Sequence, residues 1–195
     1  VTADDLVAAF TRVLRATEEA QPELDRLDAL AGDGDHGVTM VLGWRAVVAA
    51  LDAAPPASPG AALRTAADAF ASVGGTAGPL WGTAFLRAAR TLGAGAEADE
   101  TLLAAAAAAA VDGMRQRGRC AEGDRTVVDA MAPAAAALAA GGGLTAAAAA
   151  ARAGADATAQ MTPRHGRAAR APERVRGSPD AGARAAAVFW SALAD

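Results

Sequence analysis

The chain predicts an all-α fold of eight or so antiparallel helices in a single domain spanning residues 1–195, and three observations carry that expectation. Alanine and leucine dominate, isoleucine is absent, and Thr and Val are scattered, so helix formers far outnumber strand formers. Apolar residues recur at helical spacing, and no stretch alternates with period two over a useful length. Breaks rich in glycine and proline divide the chain into segments of similar length, which pack most simply as sequential antiparallel neighbours.

The elements follow in order. Asp4 to Thr17 reads as an amphipathic helix with Leu6, Phe10, Val13 and Leu14 on one face. Pro22 opens a second, short helix that ends at the Gly32 bend, with Asp28 on its last turn. Val38 to Leu51 is the next, running into the Pro55-Pro56 loop, and Pro59 starts another through Leu63 and Phe70 to Val73. Gly74 to Pro79 breaks the chain, and Leu80 to Leu92 resumes it with Pro79 suited to the first helical position. Asp99 to Arg117, Arg125 to Ala140 and Ala146 to Met161 are helical, and the last helix runs from about Ala181 to Leu193. Residues 162–180 carry Pro, Gly and Arg with no helical period, too long for a plain connector.

Composition excludes several function classes. A formal charge of −4 gives no electrostatic case for nucleic acid or an anionic membrane. The apolar run from Leu102 to Val111 is short and mostly alanine, so no membrane insertion is expected. Asp4 and Asp5 stand where a signal peptide would be basic, and the single Cys120 forms no internal disulfide, which together suggest a cytoplasmic protein. There is no lysine, so neither a P-loop NTPase nor a protein kinase fold fits: both need a lysine on the phosphates. Any nucleotide handled here must be held by carboxylate-bound metal, backbone amides and arginine.

The segment Leu27 to Gly37 places Asp28, Asp33 and Asp35 around a bend that Gly32, Gly34 and Gly37 leave free to turn. Oxygen-only clusters suit hard cations, and Mg²⁺ commonly combines carboxylates with waters and substrate phosphates. A solvated Asp-Gly turn is the competing reading. An EF-hand is excluded, because a loop starting at Asp33 puts Val38 at the glycine position and Trp44 at the bidentate glutamate position. His36 either contacts a ligand or caps the next helix, while Trp44 and Trp81 read as core.

Alternate loops of an antiparallel array fall at one end. The loops 31–37, 74–79 and 118–124 and the segment 162–180 are all rich in glycine with polar or charged residues. Gly74 to Pro79 before a helix offers amides and a positive dipole end to an anion, or else makes a tight turn. Arg164, Arg167, Arg174 and Arg176 either neutralise phosphate or form a solvated basic loop.

Taken together and in this order, four segments resemble the L subunit of dihydroxyacetone kinase, equivalently the nucleotide-binding domain of the single-chain enzyme (the DhaL, or DAK2, family). They are Leu27 to Gly37; Ser72 to Thr83; Gly118 to Asp129 with its Glu122-Gly123-Asp124-Arg125-Thr126 core; and His165-Gly166-Arg167-Ala168 followed by Glu173-Arg174 and Gly177 to Ala183. The resemblance covers nearly the whole chain and implies an eight-helix antiparallel barrel with a nucleotide at one end. It implies that Asp28, Asp33 and Asp35 bind two Mg²⁺ ions bridging the phosphates of ADP or ATP, with Arg167 on the remaining phosphate oxygens. It further implies that His36, Gly37, Val38, Thr39, Thr76, Ala77, Gly118, Val127, Asp180, Ala181 and Gly182 line the nucleotide. Thr39 stands where relatives often have Asn, Ala77 where Ser is usual, Ala169 where Ser is frequent and Ala181 where Pro is.

The activity implied is phosphoryl transfer to dihydroxyacetone (glycerone) held covalently by a partner K-type (DhaK) subunit. An M-type (DhaM) subunit of the phosphotransferase system would rephosphorylate bound ADP in one branch of the family, and some members carry an internal lipid. Erythrulose is the alternative acceptor. A non-catalytic helical scaffold that binds lipid or regulates a partner is the rival reading.

Overall fold

The computed structural model describes residues 1–195. Eight helices run in chain order: α1 (Ala3–Asp28), α2 (His36–Ala53), α3 (Pro59–Ala71), α4 (Ala77–Leu92), α5 (Glu100–Gly118), α6 (Val128–Ala139), α7 (Gly143–Ala157) and α8 (Ala181–Ala194). Each packs on its successor, and α8 returns to pack on α1, which closes the ring into the expected antiparallel barrel. No helix is long and apolar enough to cross a membrane.

Where cap chemistry is explicit, the helix starts agree with the sequence. Ser58 accepts the Ala61 amide ahead of Pro59, and Asp99 accepts the Leu102 amide ahead of Glu100. Pro22 does not begin a helix. It lies exposed inside the single 26-residue α1. The apolar stripe continues past it, since Phe10, Val13, Thr17, Leu24 and Leu27 are all buried on one face. That burial outweighs the one backbone hydrogen bond that a proline on the outer face removes.

Other boundaries shift as well: α7 runs from Gly143 to Ala157, three residues earlier at its start and four at its end than the expected Ala146 to Met161. The sixth helix starts at Val128 rather than Arg125, because Arg125 adopts a left-handed backbone (φ 62°) that no helix admits. In α4, Pro79 is the third residue and not the first, still among the positions whose N–H has no intrahelical partner. The segment 162–180 is not featureless: it holds two short 3₁₀ turns, Ala168–Arg170 and Pro172–Val175.

The middle of the barrel is aromatic. Phe10, Trp44, Phe70, Trp81, Phe85 and Phe189 form one cluster, with ring centroids from 5.1 Å (Trp44–Phe70) to 6.3 Å (Trp44–Trp81) apart. Trp44 stacks on Phe189 at an interplanar angle of 14°. Around α6 and α7 the core is almost wholly alanine, with Ala130, Ala134, Ala147, Ala151 and Ala155 fully buried, so these helices approach closely. The turns following α1, α3, α5 and α7 all fall at the same end.

Candidate functional site

Asp28 closes α1, and its carboxylate shapes the loop that follows. Its Oδ2 accepts the amides of Gly34 (2.9 Å) and Asp35 (3.3 Å). A Cβ at Gly32 would lie 2.4 Å from Asp28 Oδ1, so any side chain there would push this carboxylate out of place. The loop thereby folds back so that carboxylate oxygens of Asp28, Asp33 and Asp35 lie within 4.8 Å of one another, with Asp33 and Asp35 exposed.

Asp35 occupies the N-cap position of α2 but makes no capping bond. That work falls to Asp25, one turn before Asp28 on α1, whose Oδ1 accepts the amides of Gly37 (2.7 Å) and Val38 (3.2 Å). Gly37 fits only as glycine, because a Cβ would meet the Gln21 carbonyl at 2.5 Å. Asp35 is thus left with its carboxylate uncommitted beside Asp28 and Asp33.

The electrostatics separate the two exposed aspartates. Arg167 Nη1 lies 2.6 Å from Asp33 Oδ2, and that hydrogen bond holds the Asp33 carboxyl below its ordinary value. Asp35 is pushed up, first by partial desolvation and then by the neighbouring carboxylates of Asp33 and Asp28. Crowded like charges of this kind form a donor set suited to a divalent cation. His36 is half-buried; desolvation holds it below the ordinary imidazole value, and its shielded Nε2 has no partner. The neutral ring therefore presents an unsatisfied nitrogen.

The opposite wall is built from two loops stitched together. Asp124 Oδ2 accepts the Ala121 amide (2.7 Å) and meets His165 Nε2 at 3.0 Å, which helps hold the Asp124 carboxyl low. Buried Asp129 accepts the amides of Gly123 (2.5 Å) and Thr126 (2.7 Å), which fixes the turn before α6. Asp180 caps α8 through the Ala183 amide (2.9 Å), its own N–H donates to Thr158 Oγ1 (2.8 Å), and burial pushes its carboxyl up.

These loops surround a cleft of about 390 Å³. Asp28, Asp35, His36, Thr39, Thr76, Ala77, Gly118, Val127, Arg167, Asp180, Ala181 and Gly182 line it, so twelve of the residues singled out by sequence are gathered there from four separate loops. Asp33 joins them through Arg167 and the carboxylate cluster. Gly37 and Val38 do not line the cleft, because their amides are turned to Asp25 and the Val38 side chain faces solvent. His36 is the first residue of α2 and not its cap. Trp81 is core, as expected, yet also floors the cleft.

Sequence reasoning missed Asp25, Arg125, Asp129 and Thr158. For Asp25 a signal existed: Asp25 and Asp28 stand three apart, one turn of the same helix face. For Asp129 a signal existed too, since Thr126 and Asp129 stand at the spacing by which an acidic side chain reaches back to the amide three residues before it. For Thr158 there was none, because it acts through Asp180, twenty-two residues on, which only the closed barrel brings near.

The DAK2 domain family model matches residues 30–195. The chain is 38% identical over 198 residues to the D-erythrulose kinase of Mycolicibacterium smegmatis, covering 96% of this chain and 34% of that protein. It is 34% identical over 180 residues to the ADP-binding subunit DhaL of the PEP-dependent dihydroxyacetone kinase of Escherichia coli, covering 88% of this chain and 86% of that subunit. Among solved structures, the dihydroxyacetone kinase of C. freundii in complex with AMP-PNP and Mg²⁺ superposes with a TM-score of 0.78 at 28% identity, over 96% of this chain and 33% of that one. The chain therefore spans about a third of the length of the erythrulose kinases it matches and nearly all of the DhaL subunit. With the barrel, the ordered loops and these matches in agreement, the chain belongs to the DAK2 domain family, the family of the dihydroxyacetone kinase L subunit.

Proposed function

We propose that this chain is the nucleotide-binding component of a ketose kinase. It would hold Mg·ATP, or Mg·ADP in a phosphotransferase-system variant, and deliver a phosphoryl group to dihydroxyacetone carried covalently by a K-type subunit or domain. The observation that carries the reading is the triad of Asp28, Asp33 and Asp35, their oxygens within 4.8 Å of one another, in the cleft wall that Arg167 faces.

The residues fit a divalent metal: three clustered carboxylates, one raised by desolvation and then by its neighbours, and no competing cap on Asp35. Mg²⁺ bound by these three aspartates, as two ions in the fullest form of the reading, would screen the phosphate oxygens as a Lewis acid. Arg167 sits where its guanidinium can leave Asp33 for a phosphate oxygen, exchanging one anion for another. The first residues of α4 and α8, with Thr76-Ala77 and Ala181-Gly182 on the cleft, offer N-terminal amides to further anionic oxygens. His36 keeps a neutral ring, available as a hydrogen-bonding group, beside the carboxylates.

Dependence on a partner is supported by the chain's inventory. There is no lysine to form a Schiff base, and both histidines belong to the nucleotide cleft. Erythrulose is the second acceptor, favoured by the 38% identity to an erythrulose kinase. A cytoplasmic setting, where ATP and Mg²⁺ are present, goes with this activity. A lipid among the alanine-faced helices would compete with the six packed rings, so the reading rests on the cleft and not on a barrel ligand. The test is product formation from Mg·ATP and ketone with and without the K-type partner. Turnover is expected only with the partner; robust turnover by the chain alone would overturn the division of labour.

A further inference from the structure

We propose that Arg125 is a positioning residue that ties the 162–180 segment to the turn before α6, so that Arg167 and the start of α8 face one cleft; this rests on the nucleotide reading above. Arg125 is 5% exposed and has a backbone φ of 62°, a conformation that non-glycine residues seldom adopt. The turn that imposes it is held independently by Asp124 and Asp129, so the Arg125 side chain is free for another task.

That task is visible in its contacts. Nη2 donates to the carbonyls of Ser178 (2.8 Å) and Val175 (3.3 Å), and Nη1 faces Asp180 Oδ1 at 3.8 Å. All three partners lie on the last part of the segment, and Val175 and Asp180 line the cleft alongside Arg125 itself. A planar guanidinium can reach two carbonyls and a carboxylate at once, whereas an ammonium cannot hold that fork. The Arg125 Nε–H is shielded from solvent and has no acceptor, so the group is not saturated by the segment it holds. The far end of the same segment is anchored through Arg167 to Asp33 and through His165 to Asp124. Arg125 is thus the clasp at one end of a strap whose other end reaches the carboxylates.

Limited trypsinolysis tests this, because Arg170, Arg174 and Arg176 on the strap are exposed. In the wild-type protein, Mg·ADP should slow cleavage after these three residues, mapped by mass spectrometry. Arg125→Met should raise that cleavage about tenfold and weaken Mg·ADP binding by a similar factor, consistent with the loss of charge-assisted hydrogen bonds. Arg125→Lys should recover part of both. Cleavage and affinity both unchanged in Arg125→Met would overturn the proposal, as would faster cleavage with wild-type affinity, since Arg125 would then hold the strap without serving the site. If Arg125→Met fails to fold, the wild-type protection and Arg125→Lys decide: binding seen by calorimetry without protection of the strap overturns the clasp. Absence of any Mg·ADP binding by the wild type would instead contradict the nucleotide reading, and the two failures are distinct.

Discussion

Arg167 Nη1 lies 2.6 Å from Asp33 Oδ2, and so a cation from the 162–180 segment neutralises one member of a three-carboxylate cluster formed by the loop after α1. A metal ion on Asp33 would compete with Arg167 for that charge and leave the guanidinium to a phosphate.

The first prediction follows from that exchange. Arg167→Ala should lower phosphoryl transfer by about 10²-fold or more, the loss typical of a charge-assisted contact made in the transition state. Arg167→Lys should restore only part, because the planar fork is lost. Steady-state kinetics with the K-type partner checks it; full activity in Arg167→Ala would return Arg167 to the solvated surface.

Asp25 supports the second. It caps α2 from α1, so Asp25→Ala should destabilise the fold by about 1 kcal/mol, the usual cost of a lost helix cap. Asp25→Asn should cost less, since its amide oxygen still accepts from Gly37 and Val38. Urea midpoints at constant slope measure both. An Asp25→Ala variant as stable as wild type would mean that Asp35 takes over as cap.

The third concerns pH. Desolvation holds His36 in the folded protein below its ordinary value of 6.5. The unfolded chain therefore takes up a proton at a higher pH than the folded one. The sign is fixed: stability is full above 6.5 and falls as pH drops from 6.5 toward the folded value. Denaturation with a chelator present should show this slope, and His36→Gln should flatten it. In the NMR titration of the two histidines, a His36 resonance moving at or above 6.5 would contradict the burial argument.

Much of this was legible in the sequence because the relevant information is local. Ser58-Pro59 and Asp99 announce helix starts by cap chemistry, and the glycine-flanked aspartates announce a bend crowded with oxygen donors. Pro22 misled because its local penalty is small beside the burial of Leu24 and Leu27, a term set by the neighbouring helices. Asp25 shows the same limit within the site. Sequence offers His36 as a cap for the helix after the bend, yet the capping carboxylate comes from Asp25 on the preceding helix, and only the packing of α1 on α2 brings it there. Arg125 lay in plain view inside a motif, but its partners are main-chain carbonyls fifty residues and more away, which no side-chain pattern encodes.

The central claim is that the aspartate cluster binds nucleotide through metal, and calorimetry with ADP tests it most directly. ADP should bind in the presence of Mg²⁺ and lose most of its affinity when Mg²⁺ is chelated. Asp33→Asn and Asp35→Asn should abolish the Mg²⁺-dependent binding while far-UV circular dichroism stays that of the wild type, because both side chains are exposed and hold nothing in the core. ADP affinity indifferent to Mg²⁺, or unchanged in both variants with Mg²⁺ present, would contradict the account and leave a helical scaffold in its place.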